Sequence, residues 1–447
     1  MTTKYRATPN LMTQANNQMT DLIAKGFVYE EFIPGVHLLA NPLDREQCSI
    51  EIMYHTGGSY LEKPADSGKK HLLEHCIVAR TKSMNHEDFK DWAFRENLSY
   101  DAYTGPIPMA VSIGGYKNDY KKMIDWAIEA AVNPTFDQDD LDREKEIVLR
   151  EIAERRGNPN YKLYFAVQDL MHTPESIERH QTLGNPEMVA QTTLEDFYRL
   201  HRDVVETSHI LIKVAGGGLD LNYLKAEFTK VFNQAIIDKK LNFKRLALNY
   251  QGISQLNQFD YLPVVHEFAH EHCDLNFYIP MPITQDNRAV RSIFHSLFMT
   301  YGGTLYDRLR DQKRLVYGIS SWADPENQMM GISMEAEIER LEQITSETRD
   351  VFSDFEKNFN FKRFEEFKEL IFKKQAMAKD KLGEAINFVQ STLTTYGTLE
   401  TYDQYTEKLR QVTVEEMQEF YNQLKANWAT KKVVVISKNP EISKLSF

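Results

Sequence analysis

The sequence predicts an α+β fold of two similar halves, each layering strands against helices. Three observations carry this. Strand-like apolar stretches, VSIGG (111–115), HILIKVAGG (209–217) and KKVVVIS (431–437), are interspersed with segments of helical spacing, KNDYKKMIDWAIEAAV (117–132) and LDREKEIVLREIAERR (141–156). TLEDFYRLHRDVVETSHILIKV (193–214) and TVEEMQEFYNQLKANWATKKVVVI (413–436) share one pattern: Thr, an aliphatic residue, two acids, an aromatic-bearing helix, then a short β-branched strand. Their offset is 413 − 193 = 220, and the strands CSIEIMY from Cys48 and CDLNFYI from Cys273 repeat it at 273 − 48 = 225. Two matches at nearly one offset point to duplication.

At roughly 150 residues per domain, 447 residues would make about three domains. The repeat divides the chain in two instead: an N-terminal domain at 1–232, a connector at 233–264 and a C-terminal domain at 265–447. The connector has poor periodicity and contains Gly252 and Pro263. The chain is 42% hydrophobic and 26% charged, ordinary for a globular protein with a large core. A net charge of −12 argues against nucleic acid as a partner. No apolar run is long enough for a membrane span, and residues 1–20 contain no signal-peptide h-region. Lys4 and Arg6 do not make that segment Arg-rich, so a transit peptide also fits poorly. Three cysteines (Cys48, Cys76, Cys273) give neither a disulfide framework nor a CxxC pair, so a cytoplasmic, reducing setting is expected. Cys76 follows His75, but on a helix it points about 100° away and is expected to pack.

The chemistry concentrates in SGKKHLLEHCIVAR (67–80), a helical stretch with Ser67 as the expected N-cap. His71 and His75 are i and i+4, so both imidazoles leave one face about 5–6 Å apart and can reach one metal ion. Glu74 flanks that face. A catalytic zinc site needs three protein ligands and an open position, so a third ligand comes from elsewhere. DREKEIVLREIAERR (142–156) is the best supplier. Glu144 and Glu151 are seven apart, about 700° and so within roughly 20° of two full turns. Ile147 and Val148 mark that face as partly buried, where an acid is costly unless paired or metal-bound. Glu146 and Glu154 read as solvent-facing charges. The plain alternative is two half-buried histidines on an amphipathic helix.

The stretches GGSYLEKPADSGKKHLLEH, NLSYDAYTG and NPTFDQDDLDREKEIVLREI resemble the inverzincin peptidases of the pitrilysin and mitochondrial-processing-peptidase family. That family reads HxxEH, then an N-A-x-T-like strand, then an ExxxxxxE helix. Here Glu151 follows His75 by 151 − 75 = 76. The resemblance implies one Zn²⁺ per chain on His71, His75 and Glu151, with Glu74 as general base on the zinc-bound water and Glu144 orienting the ligands. It implies that Asp101, Ala102 and Tyr103 accept the peptide as an added strand. It also implies tandem homologous domains, each a largely antiparallel sheet packed with helices. TYGGTLYDRLRDQKRLVYGIS (300–320) resembles the family's segment with an Arg and a Tyr seven apart, which makes Arg310 and Tyr317 the substrate-binding pair. Without the resemblance, Arg310 reads as a salt-bridge partner and Tyr317 as core. Two departures stand out: Lys70 replaces a small residue, and Asp101 replaces the strand's Asn.

A competing string, HEFAH (266–270), satisfies HExxH with His266, Glu267 and His270. That motif works on a helix. Pro263, Pro280 and an alternating pattern instead predict a strand, and no third ligand follows as GxxH. The expectation is therefore a zinc endopeptidase acting on peptides or unfolded polypeptide segments. The chain would form half of the family's four-domain chamber, as a homodimer or as a heterodimer with a related chain. The two rivals are an inactive structural or assembly subunit on the same scaffold and an HExxH-type peptidase.

Overall fold

The structure is a computed structural model that describes residues 26–243 and 253–447. The reading of residues 1–20, and the 244–252 part of the expected connector, lie outside the described residues. In chain order, β1 (Val28–Ile33), β2 (Val36–Pro42) and β3 (Gln47–Tyr54) precede helices α1 (Lys69–Ile77) and α2 (His86–Arg95). Then come β4 (Ser99–Thr104), β5 (Met109–Tyr116), α3 (Tyr120–Val132), α4 (Gln138–Gly157), α5 (Pro159–Met171), α6 (Leu194–Thr207), β6 (Ile210–Gly216) and α7 (Leu221–Lys239). The second sheet comprises β7 (Tyr261–Val265), β8 (Cys273–Pro280), β9 (Gly318–Asp324), β10 (Met329–Ala336) and β11 (Lys432–Ser437). Among the helices between them, α8 (Glu384–Tyr396) and α9 (Val414–Asn427) matter below. Among the described residues no helix is long and apolar enough to cross a membrane.

The two sheets repeat one another. Their orders are β1-β2-β6-β3-β5-β4 and β7-β11-β8-β10-β9. In each, one parallel pair (β2 with β6, β7 with β11) is followed by antiparallel neighbours only. The repeat seen in sequence falls on these elements. Thr193 and Thr413 each close a capping box, with Asp196 and Glu416, at the start of α6 and α9. The strands that follow, β6 and β11, are central, and β6 is buried throughout. A strand covered on both faces needs continuous apolar residues, which ILIKVAG supplies except at Lys213.

The compact units do not follow chain order. Among the described residues, the first comprises 26–156, 180–243 and 379–401, and the second 157–179, 253–378 and 402–447. In the first unit, α3, α6 and α7 pack on one sheet face around Trp126, Phe197 and Phe228. The other face is covered by α8, whose Ile386, Val389 and Leu393 meet Tyr29, Leu39, Met53 and Leu211. In the second unit, α5 contributes Val167 and Met171 to a cluster with Val264 and Val434. Each unit thus takes a helix from the stretch of chain that otherwise builds the other.

Truncating Leu393, which is 2% exposed, to Ala should cost about 2–5 kcal/mol in chemical denaturation. A negligible loss would show that α8 does not hold the first sheet's second face.

Candidate metal centre

The site is built on two helices of the first unit. Helix α1 starts one residue later than its sequence suggests: the N-cap is Gly68, at φ 88°, and not Ser67. A left-handed residue is required there, and a Cβ would lie 2.6 Å from the Leu183 carbonyl oxygen, so only glycine fits. The free N–H groups of that first turn are capped from a distance. The Glu62 carboxylate accepts from Gly68 N at 2.9 Å and from Lys70 N at 2.6 Å. Lys70 is buried and donates to the Gly58 carbonyl at 2.8 Å. Burial raises the Glu62 pKa and lowers that of Lys70, while the charge of each opposes the other's shift. Lys70 is therefore part of the helix's anchorage.

Along α1 the buried residues Leu72, Leu73, Cys76 and Ile77 seat the helix on the core. Cys76 is 3% exposed and packs as expected. His71 and His75 stand together on the remaining side, with ring centroids 5.0 Å apart at 85°. Helix α4 brings Glu151 to them. Its Oε2 lies 3.7 Å from His71 Nε2 and 3.8 Å from His75 Nε2. Tetrahedral zinc with ligands at about 2.0–2.1 Å separates its donors by about 3.4 Å, so small movements close this set around one ion. Among the described residues this is the one group of three such donors within 4.8 Å of one another.

Electrostatics prepare the set. Burial pulls the His71 pKa down to about 4, assisted by His75 and Arg155, so its imidazole is neutral and free to ligate. His75 presents Nδ1 to Glu144 Oε2 at 3.2 Å, which leaves Nε2 facing Glu151. Burial acts against a charged His75, but Glu144, Glu74 and Glu151 outweigh it and raise its pKa. Burial likewise opposes ionisation of Glu144, yet hydrogen bonds from His75 and Arg143 hold its carboxyl below the usual range. Glu144 is 8% exposed, so these partners decide its charge. This carboxylate–histidine pairing fixes the ligand's ring and tautomer.

Behind Glu144 stands a further layer that the spacing of the ligands does not reveal. Arg143 Nε donates to Glu144 Oε1 at 3.1 Å, and its Nη2 lies 2.8 Å from Asp140 Oδ1. Arg80, just beyond α1, donates from Nε to the buried Asp140 at 2.7 Å. Asp140 stands one turn before Glu144, so helical spacing of the acids could have found it. Glu62 carries no comparable signal. Glu146 and Glu154 are exposed, as expected.

Glu74 lies beside the set without entering it. Burial lifts its carboxyl to about 7, while hydrogen bonds from Thr104, backbone and side chain, work the other way. Thr104 ends β4, which among the described residues pairs with β5 alone and leaves its other edge open. Ala102 packs against the core, whereas Asp101 is exposed and Tyr103 is 38% exposed. Arg310 and Tyr317 belong to the second unit. Arg310 donates to the Val316 carbonyl at 2.8 Å, and Tyr317, 51% exposed, donates to Glu337 at 2.5 Å. Tyr317 is therefore a surface residue at the start of β9 and not core. HEFAH corrects the expectation of a strand: β7 stops at Val265, and residues 266–270 form a turn closed by Ala269 N to His266 O at 3.0 Å. His266 and His270 are not arranged on a helix, so the HExxH geometry is absent there.

Residues 38–187 match the family described as Insulinase (Peptidase family M16). A protein named "Uncharacterized zinc protease" from Rickettsia bellii is 22% identical over 224 residues, 45% of this chain and 52% of that one. The match thus spans about half the length of that relative. Among solved structures, the first half of the periplasmic protease PqqL from Escherichia coli aligns at a TM-score of 0.72. It is 15% identical, and the alignment covers 94% of each chain. A structure described as a peptidase M16 inactive domain, from Pseudomonas fluorescens, aligns at 0.71 with 15% identity, covering 92% of this chain and 98% of that one. At such identities the structural likeness speaks for the fold. The segment that carries His71, His75 and Glu151 thus matches the insulinase family, peptidase family M16, and the chain around it shares the two-sheet fold of these solved structures.

Proposed function

We propose that this protein is a zinc-dependent endopeptidase acting on peptides or unfolded polypeptide segments. The observation that carries the reading is the convergence of His71, His75 and Glu151, with Glu144 fixing His75 and Glu74 beside them but outside the donor set. An inactive scaffold has no need of a buried carboxylate committed to orienting a ligand imidazole. His71, His75 and Glu151 would hold one Zn²⁺. When bound, the ion supplies Lewis-acid chemistry that acidifies water and polarises a carbonyl. A dication nearby also pulls the Glu74 carboxyl down from about 7 toward the carboxylate form, the form a base requires.

The residues then divide the work. Glu74 takes a proton from the attacking water and returns it to the leaving amine. Thr104 fixes the Glu74 carboxyl and, as the last residue of an open-edged strand, ties the base to the place where a peptide can be added. Backbone N–H and C=O groups along Asp101, Ala102 and Tyr103 would pair with that peptide, which recognises extended chain more than sequence. Arg310 and Tyr317 would contribute hydrogen bonds to peptide carbonyls and to the developing oxyanion. The working assembly is a pair of chains, identical or related, and the three buried, unbridged cysteines support a reducing compartment.

The decisive experiment pairs zinc analysis with peptide cleavage. Glu74→Gln should keep its zinc and lose at least about 100-fold in cleavage, His71→Ala should lose the metal, and Glu267→Gln should behave as wild type. An undiminished Glu74→Gln enzyme refutes the assignment. Glu144→Gln should weaken zinc binding by roughly 10–100-fold in a chelator competition. Unchanged affinity there would reduce Glu144 to a structural acid.

A further inference from the structure

On the sheet face covered by α8, one row of side chains runs polar across four strands beside the apolar cluster. Lys213, Glu51, Ser112 and Asp101 are direct partners across β6, β3, β5 and β4: Lys213 faces Glu51, Glu51 faces Ser112, and Ser112 faces Asp101. Side chains opposite one another on neighbouring strands stand about 4.5–5.5 Å apart, so the four form a continuous polar line. Its inner end is closed. Lys213 is 6% exposed, lies 2.8 Å from Glu51 Oε1, and donates to Asn387 of α8 at 2.9 Å. Its outer end is open, because β4 is the edge strand and Asp101 is exposed. A cavity of about 280 Å³ runs beside the row, lined by Glu51, Asp101, Ser112, Lys213 and Asn387.

The charges do not balance. Lys213 and Glu51 neutralise each other, Ser112 and Asn387 are uncharged, and among the described residues Asp101 is the one further charged residue of the lining. Asp101 is left with no ion-pair partner among the described residues. A peptide added to the edge of β4 would extend the row by one residue and place its side chain directly opposite Asp101 on this face. We propose that Asp101 is a specificity-determining residue that selects a lysine or arginine at that substrate position. The inference rests on the reading of β4 as the peptide-accepting strand. Thr104 marks the catalytic base, and strands pair residue for residue, so 104 − 101 sets the selected position about three residues from the scissile bond. The selectivity is for charge, since the row offers a carboxylate and not a closed apolar pocket.

The test uses the zinc-loaded full chain and a flexible fluorescent peptide in which one lysine or glutamate is moved stepwise along an uncharged sequence. Binding is read by anisotropy on Glu74→Gln protein, and cleavage on protein with Glu74 intact, each with Asp101, Asp101→Asn and Asp101→Lys. One position should favour lysine over glutamate by roughly three- to tenfold. The preference should vanish with Asp101→Asn and invert with Asp101→Lys, which a merely structural role would not produce. A charge preference that Asp101→Lys leaves unmoved overturns the inference while cleavage upholds the proposed function. Charge-dependent binding that inverts, with no cleavage by any form, upholds the inference and refutes the endopeptidase. Absence of both binding and cleavage overturns the inference as well.

Discussion

A carboxylate buried away from water stays ionised only where other groups hold it, and Glu144 is held by His75 and Arg143. That single constraint fixes much else. To make the pair, α1 and α4 must lie side by side in one register. In that register Glu151, two turns on, arrives at the free nitrogens of His71 and His75. Arg143 is shared with Asp140, and Asp140 holds Arg80 at the end of α1, so the clasp is reinforced along both helices. The opposite end of α1 is secured by Glu62 across its first turn. The ligand set is therefore carried by helices anchored at both ends, which is how a coordination geometry is kept to within fractions of an ångström.

What the sequence reveals of this depends on range. His71, Glu74 and His75 are neighbours on one helix, and Glu144 and Glu151 share a face of another, so helical spacing exposes both sets. The join between them, 76 residues apart in sequence, came from the resemblance and not from periodicity. The duplication was legible because capping boxes and central strands leave local signatures at a fixed offset. Glu62 was not legible, since a cap that reaches back across a loop obeys no spacing rule, and the Gly68 cap depended on a left-handed backbone angle. HEFAH misled in its finer reading because an alternating pattern between prolines suits a strand, yet β7 ends before it and the chain turns. The row ending at Asp101 depends on register across four strands, which no single stretch encodes.

The duplicated units have diverged in content while keeping their sheets. Between β3 and β4 the first unit sets α1 with its two histidines. Between β8 and β9 the second unit fills the same topological place with apolar residues, burying Ile293, Phe294, Leu297 and Phe298. Phe294 and Phe298 stack at 4.6 Å and join Phe352 and Tyr421 in an aromatic core. One repeat thus spends its position on ionisable chemistry that burial penalises, and the other on packing that burial favours.

The helices exchanged between units also govern how the molecule can be made. The second face of the first sheet is covered by Ile386, Val389 and Leu393, which lie far beyond the last strand of that sheet, β6. A ribosome that has finished β6 has produced every strand of the sheet but not its cover. Tyr29, Leu39, Met53 and Leu211 then wait for more than 150 further residues of synthesis (384 − 216 = 168) before they are shielded. At about 5–20 residues per second that interval lasts on the order of ten seconds or more. During it the apolar part of that face lacks the helix that shields it in the folded chain, so the order of synthesis delays completion of the first unit until most of the second has been made.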